Sequence, residues 1–138
     1  MKQISEKDWQ QMLDLACEAM ERAYAPYSGF CVGACLRASN GTYYLGCNIE
    51  NAAYSPTNCA ERTAIFKAVY DGIRSFDALV VVCSGENPAF PCGVCRQVLA
   101  EFCDMDMPIL CANNARKTEL CTLADLLPYS FGRKDLER

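Results

Sequence analysis

The chain has 138 residues, the length of one domain, and with 51% hydrophobic and 22% charged residues it matches globular composition, which excludes disorder and collagen-like repeats. Thirteen Lys and Arg against 17 Asp and Glu give a net charge of −4, and no basic stripe offers the counterion-release footprint of a nucleic-acid polymer binder. No apolar stretch approaches the ~20 residues that cross a bilayer, and Met1 to Trp9 lack the apolar centre of a signal peptide, so a single domain over 1–138, cytoplasmic and without a membrane partner, is expected.

Trp9, Met12, Leu13, Ala16, Met20 and Tyr24 recur at helical spacing and predict a first helix over 6–24, broken by Ala25-Pro26-Tyr27-Ser28-Gly29. Phe30, Val32, Ala34 and Leu36 alternate as a half-buried strand. Asn40-Gly41 signals a hairpin, and 42–48 supplies its partner. After Ser55-Pro56-Thr57-Asn58, a second helix is predicted over 59–70, closed by Asp71-Gly72. The run Ala78-Leu79-Val80-Val81-Val82-Cys83 reads as a strand buried on both faces. Pro91 starts a third helix with Cys95, Val98, Leu99 and Phe102 on one stripe. Residues 108–112 form another inner strand, and Thr122 caps a short helix ending before Pro128. Strands alternating with helices in the second half predict a three-layer α/β/α domain.

Two counts narrow the chemistry: 11 cysteines and no histidine. Without imidazole, catalysis falls to carboxylates, thiolates, tyrosines, lysines or a metal held by sulfur. In a reducing compartment most of the thiols act as small buried hydrophobes. Two motifs stand apart, Asn58-Cys59-Ala60-Glu61-Arg62 and Pro91-Cys92-Gly93-Val94-Cys95-Arg96-Gln97, each where a helix begins. Free N–H groups and the positive dipole end favour a thiolate there. Cys92 and Cys95, three apart, share one face, and Cys59 could complete a three-sulfur site whose fourth corner is open, the arrangement of catalytic zinc. Simpler readings stand beside this one. Cys92 and Cys95 could be a redox pair, Glu61 could close a capping box with Asn58, and Arg62 could be solvated. Cys59 and Glu61 share a site only if Cys59 lies at the cap, outside helical dihedrals. Asn48 and Glu50 alternate along an extended segment and so point to one side, as a polar strand end or a binding pair.

The two motifs, with Tyr27-Ser28-Gly29-Phe30-Cys31-Val32-Gly33-Ala34, Gly46-Cys47-Asn48-Ile49-Glu50-Asn51-Ala52-Ala53-Tyr54 and Leu126-Leu127-Pro128-Tyr129-Ser130-Phe131, resemble the zinc-dependent nucleoside deaminases, closest to the small homotetrameric three-cysteine cytidine deaminases. The resemblance spans nearly the whole chain and departs from the superfamily's H-x-E pattern only in having C-x-E. It implies a cytidine-deaminase-like α/β/α domain with a central mixed sheet. It also implies hydrolytic deamination of cytidine and 2′-deoxycytidine to the uridines and ammonia, in pyrimidine salvage. Further, it implies one zinc ion per chain on Cys59, Cys92 and Cys95, Glu61 as proton shuttle, and Arg62 donating to thiolate sulfur. By the same resemblance Phe30 and Tyr54 line the pyrimidine pocket, Asn48 and Glu50 hold the ribose 3′-hydroxyl, and Phe131 reaches into a neighbouring subunit's site. Blasticidin-S deaminase shares a similar zinc site, a thioredoxin-like oxidoreductase would need only Cys92 and Cys95, and a structural zinc module would need a fourth ligand.

Overall fold

In a computed structural model, residues 3–137 are described. Helix α1 spans Glu6–Met20, strands β1 and β2 Val32–Ala38 and Tyr43–Cys47, helix α2 Ala60–Tyr70, and strand β3 Phe76–Cys83. Helix α3 covers Gly93–Phe102, strands β4 and β5 Pro108–Asn113 and Thr118–Thr122, and the short helices α4 and α5 Leu123–Leu126 and Arg133–Leu136. The sheet order is β2-β1-β3-β4-β5, with β3 and β4 parallel and the other pairs antiparallel, so the sheet is mixed.

The alternation read along each strand sorts the two faces. Ala34, Leu36, Leu79, Val81 and Ile109 meet α2 and α3 in one cluster, with Ile65 and Leu99 as helical anchors. Cys35, Ala78, Val80, Val82 and Ala112 face α1 through Met12, Leu13, Ala16 and Met20. Every residue of β3 is buried, as its unbroken apolar run requires of a central strand covered on both sides. The layers press together at backbone distance. A Cβ on Gly33 would lie 2.1 Å from the Ala16 carbonyl oxygen, and one on Gly46 would lie 2.2 Å from that of Ala60.

Two boundaries near the site and two whole elements depart from expectation. Helix α1 ends at Met20, not Tyr24, because the Tyr24 N–H donates to the Asn48 carbonyl and the Glu50 N–H donates to that of Tyr24, drawing the segment into a β-bridge. Strand β1 starts at Val32, leaving Phe30 ahead of it and 40% exposed rather than in the core. Strand β5 and helix α5 were not expected at all; β5 is a mostly exposed edge strand, and exposure removes the apolar alternation that would reveal it. No helix among the described residues is long and apolar enough to cross a membrane.

Candidate metal centre

Both cysteine motifs sit at helix starts, with the ligands at the caps. Cys59 is the N-cap of α2 at φ −74° and ψ 157°, and Cys92 is the N-cap of α3 at φ −67° and ψ 166°. Extended dihedrals at Cys59 take its sulfur out of helical register, so it and Glu61, two residues on, reach one site despite their spacing. Neither cap makes a side-chain hydrogen bond to its own helix, so no cap side chain occupies the first-turn N–H groups, whose dipole end favours negative charge. Asn58 does not close a capping box with Glu61; its Nδ2 donates to Thr63 Oγ1 at 3.0 Å. Thr63 Oγ1 lies 3.0 Å from the Cys47 carbonyl oxygen and so pins the start of α2 to the end of β2.

The three sulfurs of Cys59, Cys92 and Cys95 lie within 4.8 Å of one another, and the Cys59–Cys92 pair is 3.6 Å apart. A tetrahedral zinc site with Zn–S near 2.3 Å has edges of about 3.8 Å, so the trio fits one zinc ion. Among the described residues no fourth ligand atom joins them, which leaves one tetrahedral corner for water or substrate and does not support a closed structural site. Arg62 Nη2 donates to Cys59 Sγ at 3.3 Å and to the Thr57 carbonyl at 3.4 Å, while its buried Nε has no partner among the described residues. A hydrogen bond from the Cys95 thiol, helped by Arg62, holds Cys59 well below the ordinary thiol value. Cys95 is raised in turn by donating that bond and by burial.

Glu61 is 4% exposed. Burial pushes its carboxyl up to about 7, with the Cys59 charge adding to the rise. A carboxyl raised to this range by burial beside a thiolate can exchange a proton near neutral pH.

The polar pair behind Phe30 is already engaged. Asn48, buried, accepts from the Val32 N–H at 2.9 Å and donates to the Phe30 carbonyl at 2.8 Å. Glu50 Oε1 accepts from the N–H groups of Tyr27 (2.9 Å) and Ser28 (3.1 Å), and Oε2 accepts from Ser28 Oγ; these bonds hold its carboxyl below the usual range. Both side chains therefore point to the same stretch of chain, 27–32, and Asn48 is not a strand end in solvent. A cavity of about 310 Å³ is lined by Tyr27, Ser28, Glu50, Tyr54 and Thr57. Tyr54 packs edge-to-face on Tyr27 at 6.5 Å, and Arg62, which holds the Thr57 carbonyl and Cys59 Sγ, links the edge of the cavity to the thiol cluster. Phe131 does not line this cavity: its carbonyl accepts from Gln97 Nε2 on α3, and the residue is 59% exposed. Gln97 is two residues from Cys95, and such residues face different ways on a helix.

Comparison with known proteins decides the family. The family model for the cytidine and deoxycytidylate deaminase zinc-binding region matches residues 6–111. A cytidine deaminase of Sporosarcina psychrophila is 56% identical over 94% of this chain and 95% of its own length. The chain belongs to the cytidine deaminase family. A second relative, the cytidine deaminase of Halalkalibacterium halodurans, is 45% identical over 94% of this chain and 98% of its own. The crystal structure of cytidine deaminase from Burkholderia pseudomallei superposes with a TM-score of 0.86 at 40% identity, covering 93% of this chain and all of that one. That from Mycobacterium tuberculosis gives 0.78 at 37%, covering 91% and 98%.

Sequence reasoning on this deaminase missed the residues that position the site. Tyr27 and Ser28 were visible only as part of a motif, yet their N–H groups occupy Glu50. Arg96 was likewise visible only inside its motif and Thr63 not at all, since nothing local in sequence marks the carbonyls they bind.

Proposed function

We propose that this protein hydrolyses the 4-amino group of cytidine and 2′-deoxycytidine, releasing ammonia and the corresponding uridine. The observation that carries this reading is the three-sulfur corner with a buried carboxyl at its side, poised near pH 7. Cys59, Cys92 and Cys95 hold the zinc ion. Zinc, when bound, supplies the Lewis acid that makes water a competent nucleophile near neutral pH. Glu61 takes the proton of the attacking water, passes one to N3 of the pyrimidine, and assists departure of ammonia; positioned proton transfer of this kind contributes about 10²–10⁴-fold. With zinc on the three sulfurs, Glu61 would be held more readily as the carboxylate that serves as the base. Three thiolates on a dication leave a net charge of −1, and Arg62 offsets it through its bond to Cys59.

Phe30 and Tyr54 form the aromatic walls for the pyrimidine. Asn48 and Glu50 face the ribose 3′-hydroxyl, each with acceptor capacity beyond the bonds it already makes to 27–32. The active form is a cytoplasmic homotetramer in which Phe131 enters a neighbour's pocket. Its exposure and its place off the cavity of its own chain support that assignment. Zinc content per chain, measured together with the ultraviolet change of cytidine conversion and ammonia release, tests the proposal. One equivalent of zinc with no turnover of either nucleoside sinks it. A dilution series tests assembly: full activity in an isolated monomer removes Phe131 from the site.

A further inference from the structure

Two neighbouring side chains of α3, Arg96 and Gln97, have no part in the reaction described so far. Arg96 is half-buried, and no salt bridge among the described residues engages it. Its Nε donates to the Pro91 carbonyl at 2.6 Å and its Nη1 donates to the Leu126 carbonyl at 2.7 Å. Pro91 is fully buried and immediately precedes Cys92, so the first bond fixes the peptide that aims one of the three thiols. Leu126 is the last residue of α4, whose terminal carbonyls lack partners within the helix. Gln97 Nε2 holds the Phe131 carbonyl at 2.9 Å. Between these anchors the chain turns at Tyr129, φ 55°, a left-handed conformation that an L-residue keeps only when surrounding contacts impose it.

We propose that Arg96 and Gln97 are a pair of positioning residues: Arg96 clasps the Cys92 loop and the end of α4 in one guanidinium, and Gln97 sets the Phe131 segment. The zinc corner of one subunit and the aromatic it lends to another are thereby held by adjacent side chains. The Phe131 half rests on the reading given under Proposed function. Arginine suits the first task because its planar fork offers diverging donors at fixed angles, whereas a lysine amine is a single point that cannot span both carbonyls in the same geometry.

The test uses zinc-loaded Arg96→Lys, Gln97→Ala and Phe131→Ala proteins. Zinc release into excess chelator is followed by absorbance, and KM and kcat for cytidine are measured in parallel. Arg96→Lys should release zinc about 10–100-fold faster, the size of effect expected when a ligand's outer support is lost. It should also raise KM. Gln97→Ala should keep the wild-type release rate and raise KM about five-fold, the loss of one hydrogen bond. Wild-type zinc release from Arg96→Lys overturns the ligand-loop half. Unchanged KM in Gln97→Ala, beside a raised KM in Phe131→Ala, overturns the segment half. If Phe131→Ala itself leaves KM unchanged, the neighbour-site reading fails instead, and zinc release still decides the role of Arg96. Should apo Arg96→Lys fail to fold, recovery of its far-ultraviolet spectrum on adding zinc supports the proposal, and failure to recover overturns it in favour of a purely structural strap.

Discussion

Replacing Arg62 with glutamine tests the electrostatic problem of a three-thiolate site. The amide ends two bonds short of the guanidinium Nη2, so the variant loses both the hydrogen bond to Cys59 and one positive charge 3.3 Å from a sulfur ligand. At an effective dielectric of about 20, a unit charge pair at that separation interacts by about 5 kcal/mol. Arg62 is only half-buried and its removal restores some hydration, so the net effect falls to the range for a charge-assisted hydrogen bond, about 1.5–3 kcal/mol. That corresponds to about 10- to 150-fold in zinc affinity or in kcat/KM. Competition against a chelator of known affinity gives the first quantity, and steady-state kinetics on fully loaded protein gives the second. The fold should persist, since Arg62 packs no core cluster and its other bond goes to the Thr57 carbonyl. Wild-type zinc affinity together with wild-type kcat/KM in a folded Arg62→Gln protein would refute the charge argument.

Glu61→Gln should bind zinc at one per chain and lose at least about 10²-fold in kcat, because the amide cannot carry protons; metal analysis beside the ultraviolet assay checks both halves, and a kcat within ten-fold of wild type counts against the shuttle. Gly46→Ala places a methyl 2.2 Å from the Ala60 carbonyl oxygen and 2.6 Å from the Ala64 nitrogen, so α2 must lift off β2; a loss of about 2–4 kcal/mol in urea unfolding is expected, and a neutral result would show that the helix yields freely. Glu50 has a folded-state pKa below its unfolded value, so its contribution is present above the unfolded pKa of about 4.3 and lost as pH falls through the folded value. Thermal stability of Glu50→Gln should accordingly decline less steeply than wild type on acidification below that pH, and parallel acid limbs would discount its bonds to Tyr27 and Ser28.

What could be read in the sequence follows from which signals are local. The alternation of Ala34 and Leu36 and the apolar run 78–83 located the sheet, since burial on one or both faces writes itself into adjacent residues. The thiol cluster was legible because chemistry fixed the spacing: Cys92 and Cys95 had to share a face, and Cys59 had to sit at a cap, as it does. The end of α1 was not legible, because Met20 gives way to a pairing of Tyr24 with Asn48 and Glu50 that lies more than twenty residues away in the chain. For the same reason the sequence leaves Asn48 open between a polar strand end and half of a binding pair, whereas its amide ties Phe30 to Val32. Strand β5 carries its pairing in main-chain groups, and its exposed side chains record little of it.

Eleven free cysteines in one small chain raise the question of why a soft metal settles at three of them. Convergence supplies the first sorting, since among the described residues these three sulfurs form the one such cluster, and burial acts on most of the others. Burial pushes the thiols of Cys35 and Cys103 up to about 12, and it raises those of Cys17, Cys47, Cys111 and Cys121. Cys59 moves the opposite way. A thiophilic cation or an electrophile sampling this protein at neutral pH thus meets thiols that burial in the apolar layers keeps protonated and, at the start of α2, a Cys59 thiol that its Cys95 and Arg62 neighbours help to ionise. The same packing that builds the layers also protects them from mis-metallation and from alkylating agents.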